Sequence, residues 1–249
     1  MDLGSRVVKI VDLNQRGVRC KIGYDTVEFY RDFGRMEGRE LAVSFEKLGL
    51  SPELTKLTVT GYGRNTVRVA GATRVTEVKA HTIGAVHQSG LRDFTLLDIG
   101  GQDTKVIKVK DGAMEDFTMN DKCAASSGRY IENMARVLGL SLSEISRHWR
   151  NPVQLSATCA IFGESELIQR ITEGVPTEEI AAGVNLSIVK RVLPMLARFA
   201  DGPIVFSGGV AKNKAVAALL AIGSGREIVP LPEPTFNGAL GCALIASRA

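Results

Sequence analysis

The sequence has no Cys-x-x-Cys pair, no Gly-x-x-x-x-Gly-Lys-Ser/Thr motif and no uninterrupted apolar run of bilayer length. Its four cysteines, Cys20, Cys123, Cys159 and Cys242, stand far apart, and a chain of 249 residues can build its core without disulfides. They are therefore free thiols or metal ligands. Ile188 to Phe206 comes nearest to a spanning segment, but Lys190, Arg191, Arg198 and Asp201 break it well short of the ~20 residues required. The first residues show no basic region followed by an apolar one, so no signal peptide is expected and a cytoplasmic location is the default. Three histidines, His81, His87 and His148, have no ligand spacing with the cysteines, which argues against zinc. A net charge of +4 without any Lys/Arg-rich run argues against nucleic acid as a partner. With 45% hydrophobic and 23% charged residues, what remains is an ordinary globular composition.

Two rounds of strands followed by helices can be traced. In the first, Val7–Leu13 and Val18–Ile22 read as strands around the turn at Asn14–Gly17, with Thr26–Arg31 extending the sheet. Arg39–Leu48 has helical spacing, Leu57–Thr60 is a short strand running into Gly61-Tyr-Gly63, and Thr82–Ser89 is helical. The second begins with strands at Thr95–Ile99 and Thr104–Val109 and a tight turn at Lys110-Asp-Gly112. Helices follow at Ser127–Leu138, Ile161–Ile171 and Pro176–Phe199, the last kinked or divided at Pro194. Pro203–Phe206 and Ile228–Pro230 are strands, and Asn213–Ala221 and Asn237–Ser247 helices. These rounds define two expected lobes: residues 1–93 joined by the C-terminal helix 237–249, and residues 94–236.

A local motif repeats with the rounds. Asp2-x-Gly4 is followed by Lys9, and Asp98-x-Gly100 by Lys105 at the same spacing, which suggests an internal duplication. A glycine turn between strands lets backbone amides approach phosphate oxygens, since no Cβ intervenes. An aspartate at the start of such a turn can hold Mg²⁺ through water. Two such turns could grip the β- and γ-phosphates of a nucleotide from opposite sides, with Ser5, Thr104 and Lys105 adding donors. The absence of a P-loop and of a Gly-x-Gly-x-x-Gly after a strand removes the commonest alternatives. A third glycine turn, Ser207-Gly-Gly-Val-Ala211, lies between a strand and a helix and would suit an adenosine moiety. Cys123 and Cys159 each precede a predicted helix, whose N-terminal amides favour a thiolate or an anionic cluster. Isolated cysteines are otherwise most often buried small hydrophobes.

Leu97-Asp-Ile-Gly-Gly-Gln-Asp-Thr-Lys105, Met119-Asn-Asp-Lys-Cys-Ala124, Thr158-Cys-Ala160 with Glu164-Ser-Glu166, Gly208-Gly-Val-Ala-Lys-Asn213 and Gly238-Ala-Leu-Gly241 together resemble a known family. It comprises the ATP-dependent activators of 2-hydroxyacyl-CoA dehydratases and the ATPase subunits of benzoyl-CoA reductases. The likeness spans nearly the whole chain and is strongest from residue 94 onward. It implies a two-lobed, actin-like α/β fold with duplicated ribonuclease-H-like lobes, as in acetate and sugar kinases, heat-shock chaperones and actin. The implied ATP site comprises Gly4, Ser5, Arg6, Lys9, Gly100, Gly101, Gln102, Asp103, Thr104, Lys105, Gly208, Gly209, Val210 and Asn213. Asp2 and Asp98 are the implied catalytic residues and Mg²⁺ carriers.

The resemblance further implies one 4Fe–4S cluster per homodimer, each copy giving Cys123 and Cys159; Cys20, in a predicted strand, and Cys242, in an apolar helix, read as structural thiols. The expected activity is ATP-driven, low-potential one-electron transfer. The electron acceptor would be an acyl-CoA dehydratase, an acyl-CoA reductase or a double-cubane cluster protein. The donor would be ferredoxin or flavodoxin. Two departures stand out. Gly4-Ser-Arg-Val-Val-Lys9 replaces a threonine run, with Arg6 as a substitute phosphate donor, and Ala125 and Ser126 differ from the family's Ala-Gly-Thr-Gly. The short strand before Asp2 reads as an abbreviated sheet edge or a start lying upstream. A small-molecule kinase with Asp103 as base, or a chaperone-like ATPase without redox chemistry, are the rival readings.

Overall fold

The computed structural model describes residues 1–50, 56–61, 63, 68–120, 123–156, 159–199 and 201–248. Tyr62, Asp121, Lys122 and Thr158, all within the motifs above, lie outside them. The chain forms two compact units: residues 1–90 with 112–114 and 235–249, and residues 91–111 with 115–234. Among the described residues no helix is long and apolar enough to cross a membrane.

In the first unit, β1 (Asp2–Leu3), β2 (Val7–Asn14) and β3 (Gly17–Asp25) form an antiparallel sheet. Val8 and Ile10 alternate into the core while Lys9 between them does not, the period of a one-sided sheet. Asp2 also bridges Thr60 in parallel, just beyond β6 (Leu57–Val59). β1 is therefore an interior strand rather than an abbreviated edge. The chain continues through α1 (Thr26–Asp32), β4 (Gly34–Glu37), β5 (Glu40–Val43), β7 (Arg68–Val69), β8 (Ala72–Arg74) and α2 (Glu77–Ser89). β8 lies parallel to β6. The C-terminal helix, Asn237–Arg248, packs on α2 so closely that a Cβ on Gly241 would lie 1.9 Å from the Ala80 carbonyl oxygen.

Two expectations fail in this unit. Thr26–Arg31 does not extend the sheet; it is α1, started by the Asp25 carboxylate, which accepts from the amides of Val27 and Glu28 and leaves Phe29 buried. Arg39–Leu48 is not a helix but strand β5 followed by a 3₁₀ turn at Glu46–Leu48. Gly38, at φ +63°, turns the chain so that β5 pairs with β4.

The second unit is a five-stranded sheet in the order β11 (Ala113–Asn120), β10 (Thr104–Lys110), β9 (Phe94–Ile99), β12 (Ile204–Ser207), β13 (Ile228–Pro230). β9 and β10 are antiparallel, whereas β12 runs parallel to β9 and β13 to β12. The first unit repeats this pattern: a third, second and first strand in antiparallel succession, then a fourth and fifth in parallel. The duplication suggested by the Asp-x-Gly repeat is thus present in the topology.

The helices of this unit are α3 (Gly128–Val137), α4 (Leu142–Ile145), α5 (Ala160–Thr172), α6 (Thr177–Leu196) and α7 (Lys214–Ser224). α4 was not anticipated; Ser141 and Glu144 cap it reciprocally. α6 is one element despite Pro194, which falls in its last turn, where little helix remains to be divided. The core joins Leu97, Ile99 and Phe206 of the sheet to Tyr130 and Met134 of α3 and Ile188 of α6. Each such buried side chain contributes about 1.5–3 kcal/mol. This core fixes the ends of β9 and β12, where the conspicuous loops begin.

Candidate functional site: two aspartate–glycine loops and a pair of exposed thiols

In the second unit Asp98 is buried near the end of β9, with Lys105 as its Cα partner on β10 and Ser207 on β12. The Gly100 amide donates to the Asp103 carbonyl at 2.9 Å and closes the turn. A Cβ on Gly100 would lie 2.8 Å from Asp103 Oδ1, so this close turn favours glycine. Gly100, Gly101, Gln102 and Asp103 are all partly exposed, as a phosphate-contacting loop requires. Lys105 is buried, with Nζ 4.0 Å from Asp98 Oδ2 and an ion pair to Asp103. A carboxylate already holding an ammonium is a poor general base, which weakens the kinase reading of Asp103.

Thr104, expected to face phosphate, is fully buried and donates its hydroxyl to the Ser126 carbonyl at 2.5 Å. The loop is fastened to the start of α3 by three further bonds. Gly128 N–H donates to the Gly100 carbonyl at 2.8 Å, Arg129 N–H to Gly101 at 3.1 Å, and the Ser127 hydroxyl to Gly101 at 3.0 Å.

After β12, Gly208 has φ +84°, and a Cβ there would fall 2.2 Å from the Ile99 carbonyl oxygen. Gly209 beside it faces open space, leaving its backbone approachable. Val210 packs into the core. Asn213 starts α7 by accepting from Val216 N–H at 3.0 Å, and its Nδ2 donates to Asn185 Oδ1 at 2.9 Å. Asn185 in turn donates to the carbonyls of Ile145 and His148. The Asn213 side chain is thereby committed inside the protein, and Gly208, expected to face the nucleotide, is buried with its amide donating to the Pro234 carbonyl at 3.1 Å, which leaves Gly209 as the exposed glycine of this loop.

The first unit holds the matching loop. Asp2 has Lys9 as its Cα partner, with Lys9 Nζ 3.3 Å from Asp2 Oδ2. A Cβ on Gly4 would lie 2.6 Å from the Val7 carbonyl oxygen. Thr26 Oγ1 donates to the Gly4 carbonyl at 2.8 Å, tying α1 to the turn. Ser5 is partly exposed and Arg6 exposed, both suitably placed on the surface of the turn.

Two features of this unit escaped the sequence. Gly61, at φ +98°, lies against Asp2 and Leu3: a Cβ there would be 2.6 Å from Asp2 Oδ1. It is the counterpart of Gly208 against Ile99, and its only sequence signal is a glycine after a short strand. His81, which shows no ligand spacing in the sequence, is buried next to Gly238, where an added Cβ would meet both His81 Nε2 at 2.7 Å and Asp2 Oδ2 at 3.3 Å.

The cysteines divide into two kinds. Cys242 is fully buried, and burial pushes its thiol up to about 11. Cys20 on β3 is also raised, first by burial and then by Asp12. Cys123 is exposed ahead of a 3₁₀ turn, Ala124–Ser126, that leads into α3. Cys159, partly exposed, occupies the N-cap position of α5. The two helices pack together: Asn133 Nδ2 donates to Glu164 Oε1 at 3.2 Å, and Gly163 faces Met134. Accessible thiols at helix starts fit a thiolate-ligated cluster. Among the described residues no group of three or more His, Cys, Asp or Glu is placed to hold a metal ion.

Comparison with known proteins supports one family. The BadF/BadG/BcrA/BcrD ATPase family matches residues 1–246. The (R)-2-hydroxyglutaryl-CoA dehydratase activating ATPase of Acidaminococcus fermentans is 40% identical over 199 residues, 76% of this chain and 74% of that one. The 2-hydroxyisocaproyl-CoA dehydratase activator of Clostridioides difficile is 38% identical over 214 residues, 84% of this chain and 80% of the relative. A solved structure of an activator of the 2-hydroxyisocaproyl-CoA dehydratase from Clostridium difficile, with bound ADPNP, superposes with a TM-score of 0.84 at 32% identity. That match covers 98% of this chain and 92% of the other, and the fold is actin-like.

Proposed function

The chain belongs to the BadF/BadG/BcrA/BcrD ATPase family, and from that premise we propose that it couples ATP hydrolysis to one-electron transfer toward an acyl-CoA dehydratase or reductase. The observation that carries this reading is the fastening of the Gly100–Gly101 loop to Ser127, Gly128 and Arg129, a few residues after the exposed Cys123. A loop suited to phosphate is hydrogen-bonded to the short segment that follows a thiol suited to a cluster. Relatives named as dehydratase activators support the same coupling.

The residues divide the work as follows. Backbone amides of Gly101–Asp103 take the nucleotide's phosphates, with Lys105 neutralising charge behind them, and the loop at Asp2 with Ser5, Arg6 and Lys9 contributes further donors. Gly209 offers backbone to the adenosine, with Gly208 bracing the turn against Ile99. Asp98 and Asp2 would hold Mg²⁺, which would offset charge on the phosphates. Cys123 and Cys159 of two copies would hold one 4Fe–4S cluster, which would supply a one-electron donor. Movement of the Gly100–Gly101 loop on hydrolysis must displace the start of α3, because their hydrogen bonds join them. The external donor is ferredoxin or flavodoxin, and the acceptor is a dehydratase, a benzoyl-CoA-type reductase or a double-cubane cluster protein.

The direct test mixes the anaerobically prepared protein with a 2-hydroxyacyl-CoA dehydratase, ATP and a low-potential reductant. Dehydration should depend on both ATP and this protein, and should be lost with Asp98→Asn. Activation that proceeds without ATP, or phosphorylation of a small molecule in place of activation, would overturn the reading.

A further inference from the structure

His81 is a buried polar side chain outside both aspartate–glycine loops. It lies on α2, 8% exposed, where α2 meets the C-terminal helix. Glycines bring the two helices close together. A Cβ on Gly84 would fall 2.2 Å from the Asn237 carbonyl oxygen, and one on Gly241 1.9 Å from that of Ala80. The contact is pinned at the histidine itself: Asn237 Nδ2 donates to the His81 carbonyl at 3.0 Å, while Asn237 Oδ1 accepts from Gln88 Nε2 at 3.0 Å. From this fixed backbone the imidazole reaches Gly238. The point where a Gly238 Cβ would stand is 2.7 Å from His81 Nε2 and 3.3 Å from Asp2 Oδ2. The missing side chain at Gly238 is what lets ring and carboxylate share that space.

The Asp2 carboxylate is enclosed on its other sides. Oδ1 lies against Gly61, where an added Cβ would be 2.6 Å away, and Oδ2 has Lys9 Nζ at 3.3 Å. In the second unit the corresponding lysine, Lys105, is clamped by a further carboxylate, Asp103, and its side chain is 3% exposed. The position equivalent to Asp103 in the first loop is Val7, and the Lys9 side chain is 20% exposed. Lys9 is thus the looser clamp. A short, buried ring on the Oδ2 side of Asp2 offers the rigidity that a long, half-wet lysine lacks. A carboxylate braced in this way presents a metal ion with one orientation, and outer partners of that kind typically change metal affinity by about 10- to 100-fold.

We propose that His81 is a positioning residue for the nucleotide reaction: from across Gly238 it fixes the Asp2 carboxylate in the orientation that receives the Mg²⁺ of a magnesium–nucleoside triphosphate. The inference rests on the reading of Asp2 as an Mg²⁺ carrier given above. It supplies the less buried of the two loops with a brace drawn from α2 and the C-terminal helix.

Calorimetry of ADPNP binding to the anaerobically purified protein, with and without Mg²⁺, tests the brace. In the wild type Mg²⁺ should tighten ADPNP binding. His81→Ala should cut that enhancement about tenfold, with Mg²⁺-free binding as in the wild type. Glutamine carries an amide nitrogen at about the reach of imidazole Nε2, so His81→Gln should recover the enhancement. His81→Leu, which fills the space without a polar group, should not. Full enhancement in His81→Ala, or equal recovery by leucine and glutamine, would overturn the proposal. Should His81→Ala fail to fold, Gly238→Ala carries the test. Alanine ordinarily favours a helix over glycine, yet its methyl must here push ring and carboxylate apart, so the same loss is expected and an undiminished enhancement overturns the proposal. Wild-type binding indifferent to Mg²⁺ would remove Asp2 as a carrier and the proposal with it, whereas wild-type enhancement that survives in the variants defeats the proposal alone.

Discussion

Lys105 stands directly across the β9–β10 ladder from Asp98, in the same register in which Lys9 faces Asp2 across β1 and β2. The two pairs differ in burial. Lys105 and Asp98 side chains are each 3% exposed and Lys105 also holds Asp103, whereas the Lys9 side chain is 20% exposed. The repeated spacing of seven residues is therefore a hairpin register, and one copy sits in a far drier environment than the other.

Replacing Lys105 by Ala leaves two neighbouring carboxylates without their shared cation in a buried site. The expected loss is about 3–5 kcal/mol of stability together with ATPase activity. Lys9→Ala, at a wetter site, should cost below about 1 kcal/mol. Urea midpoints of the two variants check this; equal costs would mean that the loops are energetically equivalent.

The adjacent glycines of the third loop make an internal control. Gly208→Ala forces a Cβ onto the Ile99 carbonyl at a backbone angle reserved for glycine, and should destabilise by on the order of 3 kcal/mol. Gly209→Ala meets no atom of the chain and should leave the thermal midpoint unchanged. If the adenosine lies against Gly209, that variant should nevertheless bind ADP several-fold more weakly, as calorimetry can show.

Alkaline stability should depend on Cys242. Its folded value is raised to about 11 from an ordinary 9.0, so the neutral buried thiol stabilises the fold fully below pH 9.0, and that contribution disappears as pH rises through about 11. The amount is about 2–3 kcal/mol, since each unit is worth about 1.4 kcal/mol. Between about pH 8 and about pH 10.5 the wild type should lose more stability than Cys242→Ala. Identical losses in denaturant titrations would contradict the assignment.

The loop at Asp98 was legible because its signal is local. A glycine turn, an aspartate and a lysine at fixed spacing determine a hairpin register without help from the rest of the chain. Gly61 was not legible as a partner of Asp2, since that role arises only when the residue after β6 comes alongside β1 in parallel. Arg39–Leu48 misled because Leu41, Phe45 and Leu48 keep helical spacing, while the deciding feature was the turn at Gly38. The committed side chains of Thr104 and Asn213 were invisible for a similar reason: their partners, Ser126 and Asn185, lie 22 and 28 residues away. Motif membership alone could not separate residues that face a ligand from those that brace the loop.

The central claim is that Cys123 and Cys159 of two copies hold one iron–sulfur cluster. Iron and acid-labile sulfide should be measured on anaerobically purified and reconstituted protein, beside its mass in solution. The account predicts a brown dimer with about four irons per two chains, and no cluster in Cys123→Ser or Cys159→Ser. A colourless, iron-free wild type after reconstitution, or full iron in either variant, would contradict it.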